Sequence, residues 1–114
     1  MECYLDNSAT TKPCKAAVDA EISALTELYG NPSSLHQKGV DAYMLLEKSR
    51  GTIAASLKAS PDEIYFTPCG TVSNNTAIFG AVGAKKRLGK KIVTTALEHP
   101  SVEKCMERLE ESGF

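Results

Sequence analysis

No stretch of this chain approaches the ~18 consecutive apolar residues that would cross a bilayer, and it does not open with the charged-then-apolar pattern of a secretory leader. No membrane is expected as a partner, and the default expectation is a cytoplasmic address. Charge of either sign is not in excess: 13 basic against 14 acidic residues leave a net charge of −1, so nucleic acid is not expected either. The one dense basic cluster, Lys85, Lys86, Arg87, Lys90 and Lys91, reads as a solvated helix end whose cations complement the C-terminal dipole. The four cysteines, Cys3, Cys14, Cys69 and Cys105, fall into no C-x-x-C spacing. That excludes the usual zinc and dithiol redox patterns, predicts no metal site, and points to reduced thiols in a reducing compartment. Internal repeats, low-complexity tracts and interdomain linkers are absent as well.

What is present is 114 residues, 42% of them hydrophobic, enough for one domain burying roughly two thirds of its unfolded surface. Met1 to Leu5 reads as a short strand, and Asp6 to Thr11 as an ordered polar loop. Val18, Ile22, Leu25 and Tyr29 recur at helical spacing and predict a buried stripe on a helix from Lys15 to Tyr29. Gly30 and Asn31-Pro32 stop it. A second helix is predicted from about Val40 to Leu57, with Val40, Tyr43, Leu46, Ile53 and Leu57 on one face. Ser60-Pro61-Asp62-Glu63 has the chemistry of a capped single turn, with proline at the first helical position and Glu63 able to reach back.

Beyond that turn the pattern becomes strand Ile64–Thr67, helix Val72 to Leu88, strand Lys91–Ala96, and helix Ser101 to Ser112 ended by Gly113. Strand, helix, strand, helix is the grammar of an α/β fold with a mainly parallel sheet. Two strands are too few for such a sheet, whose members are normally buried on both faces, so the pattern predicts continuation. The most informative segment is Ile64 to Asn75. A β-type run ends in Pro68-Cys69-Gly70-Thr71 and passes into a helix, which places free backbone N–H groups and the Thr71 hydroxyl where the dipole favours an anion such as phosphate. The strand after it ends in Leu97-Glu98-His99-Pro100-Ser101. A phosphate cradle at one strand end and a histidine at its neighbour could hold a planar, phosphorylated cofactor between them. Against this stand plainer readings: Thr71 as an ordinary helix cap, His36 as a cap of the next helix, and Asn31 as a turn residue before Pro32.

Four strings in order carry a resemblance: Tyr4 to Thr11, Tyr29 to His36, Phe66 to Asn75, and Thr94 to Val102. They resemble the successive N-terminal signatures of cysteine desulfurases, which belong to the class V aminotransferase group. The resemblance covers essentially the whole chain. It implies a partial fold-type I large domain, with residues 1–58 as an N-terminal arm and helices and residues 59–114 as the start of the cofactor-binding β/α sheet. It implies pyridoxal 5'-phosphate as cofactor, with Gly70 and Thr71 binding the phosphate and His99 both stacking on the ring and assisting proton transfer. Asn31 and His36 would border the site. The implied activity removes sulfur from L-cysteine, leaving alanine and an enzyme-bound persulfide that feeds iron–sulfur cluster assembly. Homodimers are implied, or self-association through an exposed sheet edge.

The departures from the family pattern are equally specific. Where the family usually has Thr-Ser-Gly-Gly-Thr-Glu-Ser-Asn-Asn, this chain has Thr67-Pro68-Cys69-Gly70-Thr71-Val72-Ser73-Asn74-Asn75. Pro68 removes a donor, Cys69 gives up a glycine's backbone freedom, and Val72 replaces an acid in the first helical turn. No lysine here sits in the family's cofactor-carrying lysine motif, and no cysteine sits in its persulfide loop. The expectation is that this chain alone makes no measurable alanine from cysteine. The alternatives are a truncated non-catalytic relic, a self-associating interaction module, another class V aminotransferase, or an anion-binding α/β domain for a different phosphorylated ligand.

Overall fold

The computed structural model describes residues 3–114. Among the described residues there are four α-helices, α1 (Lys15–Thr26), α2 (Gln37–Leu57), α3 (Gly70–Lys85) and α4 (Pro100–Glu111), with a 3-10 turn at Pro61–Glu63 between α2 and α3. The chain divides into two compact units, Met1–Ile64 and Tyr65–Phe114.

In the first unit, the predicted ordered loop forms. The Tyr4 hydroxyl reaches the carbonyls of Asp6 at 2.9 Å and Thr10 at 3.1 Å, and the Thr11 hydroxyl donates to the Asn7 carbonyl at 3.0 Å. Of the predicted opening strand, Met1 and Glu2 lie outside the described residues, and Cys3, Tyr4 and Leu5 are not in a strand. Helix α1 ends three residues earlier than its periodicity predicts, and its stripe is not buried: Val18, Ile22, Leu25 and Tyr29 are all exposed, Leu25 to 69%. The helical spacing does form a helix, but a stripe is buried only where another element covers it. The last carbonyls of this region do find a cation. Lys38 donates to the Glu27 carbonyl at 3.1 Å, and its ammonium lies 5.3 Å from the Tyr29 ring centre.

Helix α2 starts at Gln37, three residues before the predicted point, because His36 caps it: Nδ1 accepts from the Gly39 N–H at 3.3 Å. Asn31 forms a local turn, its Oδ1 accepting from the Ser33 N–H at 2.9 Å. The helix buries its small residues, Gly39, Ala42 and Ala54, and leaves Val40, Tyr43, Ile53 and Leu57 exposed. Gly39 is required by close approach, since a Cβ there would collide with the Ser34 carbonyl. The end of α2 closes by a six-to-one bond from Ala59 to Ala54 at 2.9 Å, with Lys58 in the left-handed region at φ 55°. The capped turn then forms as predicted. Glu63 accepts from the Ser60 N–H at 2.7 Å, Ser60 donates to the Asp62 carboxylate, and Arg50 of α2 donates to the Ile64 carbonyl.

In the second unit, α4 packs on α3, and the stripe the sequence predicts, Val102, Cys105, Met106 and Leu109, is the least exposed part of α4, with Val102 and Met106 half-buried. Cys105 is 1% exposed and Leu109 is buried. Its C-terminus closes at Gly113, φ 86°, where the Phe114 N–H bonds to the Leu109 carbonyl at 3.1 Å.

The predicted strands Ile64–Thr67 and Lys91–Ala96 are not formed, and no strand exists among the described residues. These segments run without regular structure between helices. A strand is defined by its ladder, and neither segment forms one among the described residues. The sheet edge expected to support self-association is therefore absent among the described residues. Burial differs from expectation for the same reason. The chain exposes 9596 Å², where a self-contained domain of its mass exposes about 6,100 Å² and its unfolded form about 17,700 Å². A little under half of the unfolded surface is buried, not two thirds.

Candidate functional site

Helix α3 begins at Gly70, two residues before the sequence-based boundary. That makes Cys69 the N-cap and moves Thr71 into the first turn, so Thr71 is not the helix cap. Cys69 makes no side-chain capping bond, and the first turn of α3 holds no acidic residue. The first helical bond runs from the Ser73 N–H to the Cys69 carbonyl at 3.1 Å. The N–H groups of Gly70, Thr71 and Val72 therefore come ahead of the helical ladder and point out of its positive end. All three residues are exposed, and the space beside Gly70 is open. Cys69 costs the backbone nothing here: at φ −164° and ψ 167° it is extended, a conformation open to any residue. The turn is held by Thr67, whose hydroxyl donates to the Cys69 carbonyl at 3.1 Å and lies 2.5 Å from the Ser73 hydroxyl.

His99 is the N-cap of α4, with Pro100 at the first helical position. Its Nδ1 accepts from the Ser101 N–H at 3.1 Å and lies 2.8 Å from Ser101 Oγ. The imidazole is otherwise exposed, while Ser101 is buried. Ser101 is in turn bound from α3: Asn74 Nδ2 donates to its hydroxyl at 2.8 Å. Asn74 lies one turn beyond Gly70 and Thr71, so this bond fastens the beginning of α3 to the beginning of α4. The two positive helix ends, one carrying Gly70 and Thr71 and the other His99, belong to one packed pair.

Sequence reasoning named Gly70, Thr71 and His99 but missed Asn74 and Ser101. A local signal for Ser101 existed, because proline after His99 makes the histidine a cap and turns the next N–H toward it. The Asn74 contact spans 27 residues of sequence and left no local signal. His36 and Asn31 are taken up by the cap and the turn described above. Among the described residues no three His, Cys, Asp or Glu side chains cluster to hold a metal ion, and no helix is long and apolar enough to cross a membrane.

A family model described as aminotransferase class-V matches residues 3–114. The chain belongs to the aminotransferase class-V family. Among the relatives of this class-V chain is a NifS/IcsS protein homolog of Lactobacillus delbrueckii subsp. bulgaricus, 50% identical over 97% of this chain and 29% of that protein. Cysteine desulfurase NifS of Azotobacter vinelandii is 42% identical over 99% of this chain and 28% of its own length. A solved NifS-like protein superposes on all of this chain and on 31% of its own, with a TM-score of 0.91 and 37% identity. This chain thus spans under a third of the length of these relatives.

Proposed function

We propose that this class-V chain is the beginning of the cofactor-binding domain of a cysteine desulfurase, a pyridoxal 5'-phosphate enzyme acting on L-cysteine. The observation that carries the reading is the Asn74–Ser101 bond, which ties the start of α3 to the start of α4. The donor set fits the cofactor. The N–H groups of Gly70, Thr71 and Val72 and the Thr71 hydroxyl would hold its phosphate, and the exposed His99 imidazole would lie against its ring. When bound, the group supplies an electron sink for chemistry at the amino acid. The chain's own part is to bind the phosphate with preorganised donors, orient the ring, and hold a proton at His99. In the assembled fold, residues 64–67 and 91–96 would be strands of a mainly parallel sheet, paired with segments that the longer relatives possess. A homodimer and a reducing, cytoplasmic setting go with this reading, in keeping with the free state of all four cysteines.

The test is titration of pyridoxal phosphate into the 114-residue chain, followed by the cofactor's absorbance band, beside Thr71→Ala and His99→Ala variants. Saturable binding is expected, weakened about tenfold in Thr71→Ala by the lost hydrogen bond to a charged group. Inorganic phosphate binding as tightly as pyridoxal phosphate, or binding unchanged in both variants, would overturn the reading.

A further inference from the structure

We propose that Ser101 and Asn74 are positioning residues that fix the tautomer and the facing of the His99 imidazole. A backbone N–H can only donate, so the 3.1 Å bond from the Ser101 N–H requires Nδ1 to carry a lone pair. The Ser101 hydroxyl, 2.8 Å from the same nitrogen, is a second donor in reach. Its own oxygen is occupied by the Asn74 amide, 2.8 Å away, which aims the hydroxyl proton at the ring. The direction is thus set at each link: Asn74 to Ser101, Ser101 to Nδ1. Ser101 is buried and Asn74 half-buried, so water competes poorly for either bond.

A neutral imidazole carries one proton, and with Nδ1 accepting, that proton is on Nε2. The nitrogen presented outward from the α3–α4 pair is therefore the one that bears hydrogen. His36 provides a contrast within the same chain. Its Nδ1 also caps a helix, but through one longer bond of 3.3 Å, with no serine hydroxyl and no asparagine behind it. For the reaction, and resting there on the reading in the preceding section, Asn74 and Ser101 make Nε2 the atom that meets the cofactor or substrate.

The tautomer can be measured without any cofactor, so failure here is distinguishable from failure to bind pyridoxal phosphate. Long-range proton–nitrogen NMR on the 114-residue chain, in alkaline buffer where imidazole is neutral, reports which ring nitrogen is protonated. His99 is expected to show one form, Nδ1 bare and Nε2 protonated. Removing a hydrogen bond of ordinary strength should shift the tautomer ratio by up to about tenfold, in Ser101→Ala and Asn74→Ala alike, with His36 unmoved. Ser101→Thr, which keeps a hydroxyl, should restore the single form. A protonated Nδ1 at His99 in the unaltered chain would overturn the proposal, and that measurement needs no variant to fold. A ratio unchanged in both alanine variants would overturn it as well.

Discussion

The Cys105 thiol is packed against the Asn75 side-chain oxygen and stands 3.1 Å from the Ser101 carbonyl, sealed between α3 and α4 at 1% exposure. The other three cysteines, Cys3, Cys14 and Cys69, are exposed. A thiol reagent such as Ellman's should react quickly with three cysteines of the folded chain and with the fourth only after denaturant is added. Four fast thiols would mean that the helix pair does not close over Cys105.

Lys58 adopts a left-handed backbone that glycine tolerates without a Cβ penalty. Lys58→Gly is expected to stabilise the first unit by about 1 kcal/mol, since the six-to-one closure of α2 is kept and the strain removed. Urea unfolding followed by circular dichroism reads this as a higher midpoint at unchanged slope.

The opposite sign is expected at Gly39, whose open side is filled by the Ser34 carbonyl. Backbone cannot yield as a flexible side chain can, so Gly39→Ala should cost about 1–3 kcal/mol. A midpoint equal to that of the unaltered chain would show that the 31–34 loop does not rest on α2.

Asp62 has its carboxyl held below the ordinary carboxylate value, first by the Ser60 hydroxyl and then by its own backbone N–H, with burial opposing slightly. A depressed folded value means the stabilisation is present above the unfolded value and lost as pH falls through the folded one. The side chain is exposed, so the effect should be read by carbon NMR of the carboxyl and not from a melting curve. Ser60→Ala should return the titration toward an ordinary aspartate; an unchanged curve would remove the serine as cause.

The elements whose causes are local were legible in the sequence. Pro61 and Glu63 announce the capped turn, Gly113 the end of α4, and Val102, Cys105, Met106 and Leu109 the least exposed face of α4. Boundaries slipped at two helix starts: α2 begins directly after His36, the cap the sequence offered, and not at Val40, and α3 begins after Cys69 in place of the expected cap Thr71. The segments from Ile64 and from Lys91 have strand composition, but composition cannot supply the neighbour that makes a strand. Likewise Val18, Ile22 and Leu25 specify a face and not what covers it. Of the site, Gly70, Thr71 and His99 could be picked out by position at element ends and by resemblance, whereas the Asn74–Ser101 bond exists only once α3 and α4 meet.

Helix α1 shows where such an uncovered face leads. It is 12 residues long, has no side-chain cap, carries neither an acid in its first turn nor a base in its last, and buries none of its residues. A peptide of that length is marginal in water on its own propensity. Its amides should thus trade deuterium fastest of the four helices, and proteases should find their first cuts there, making α1 the fuse of the molecule.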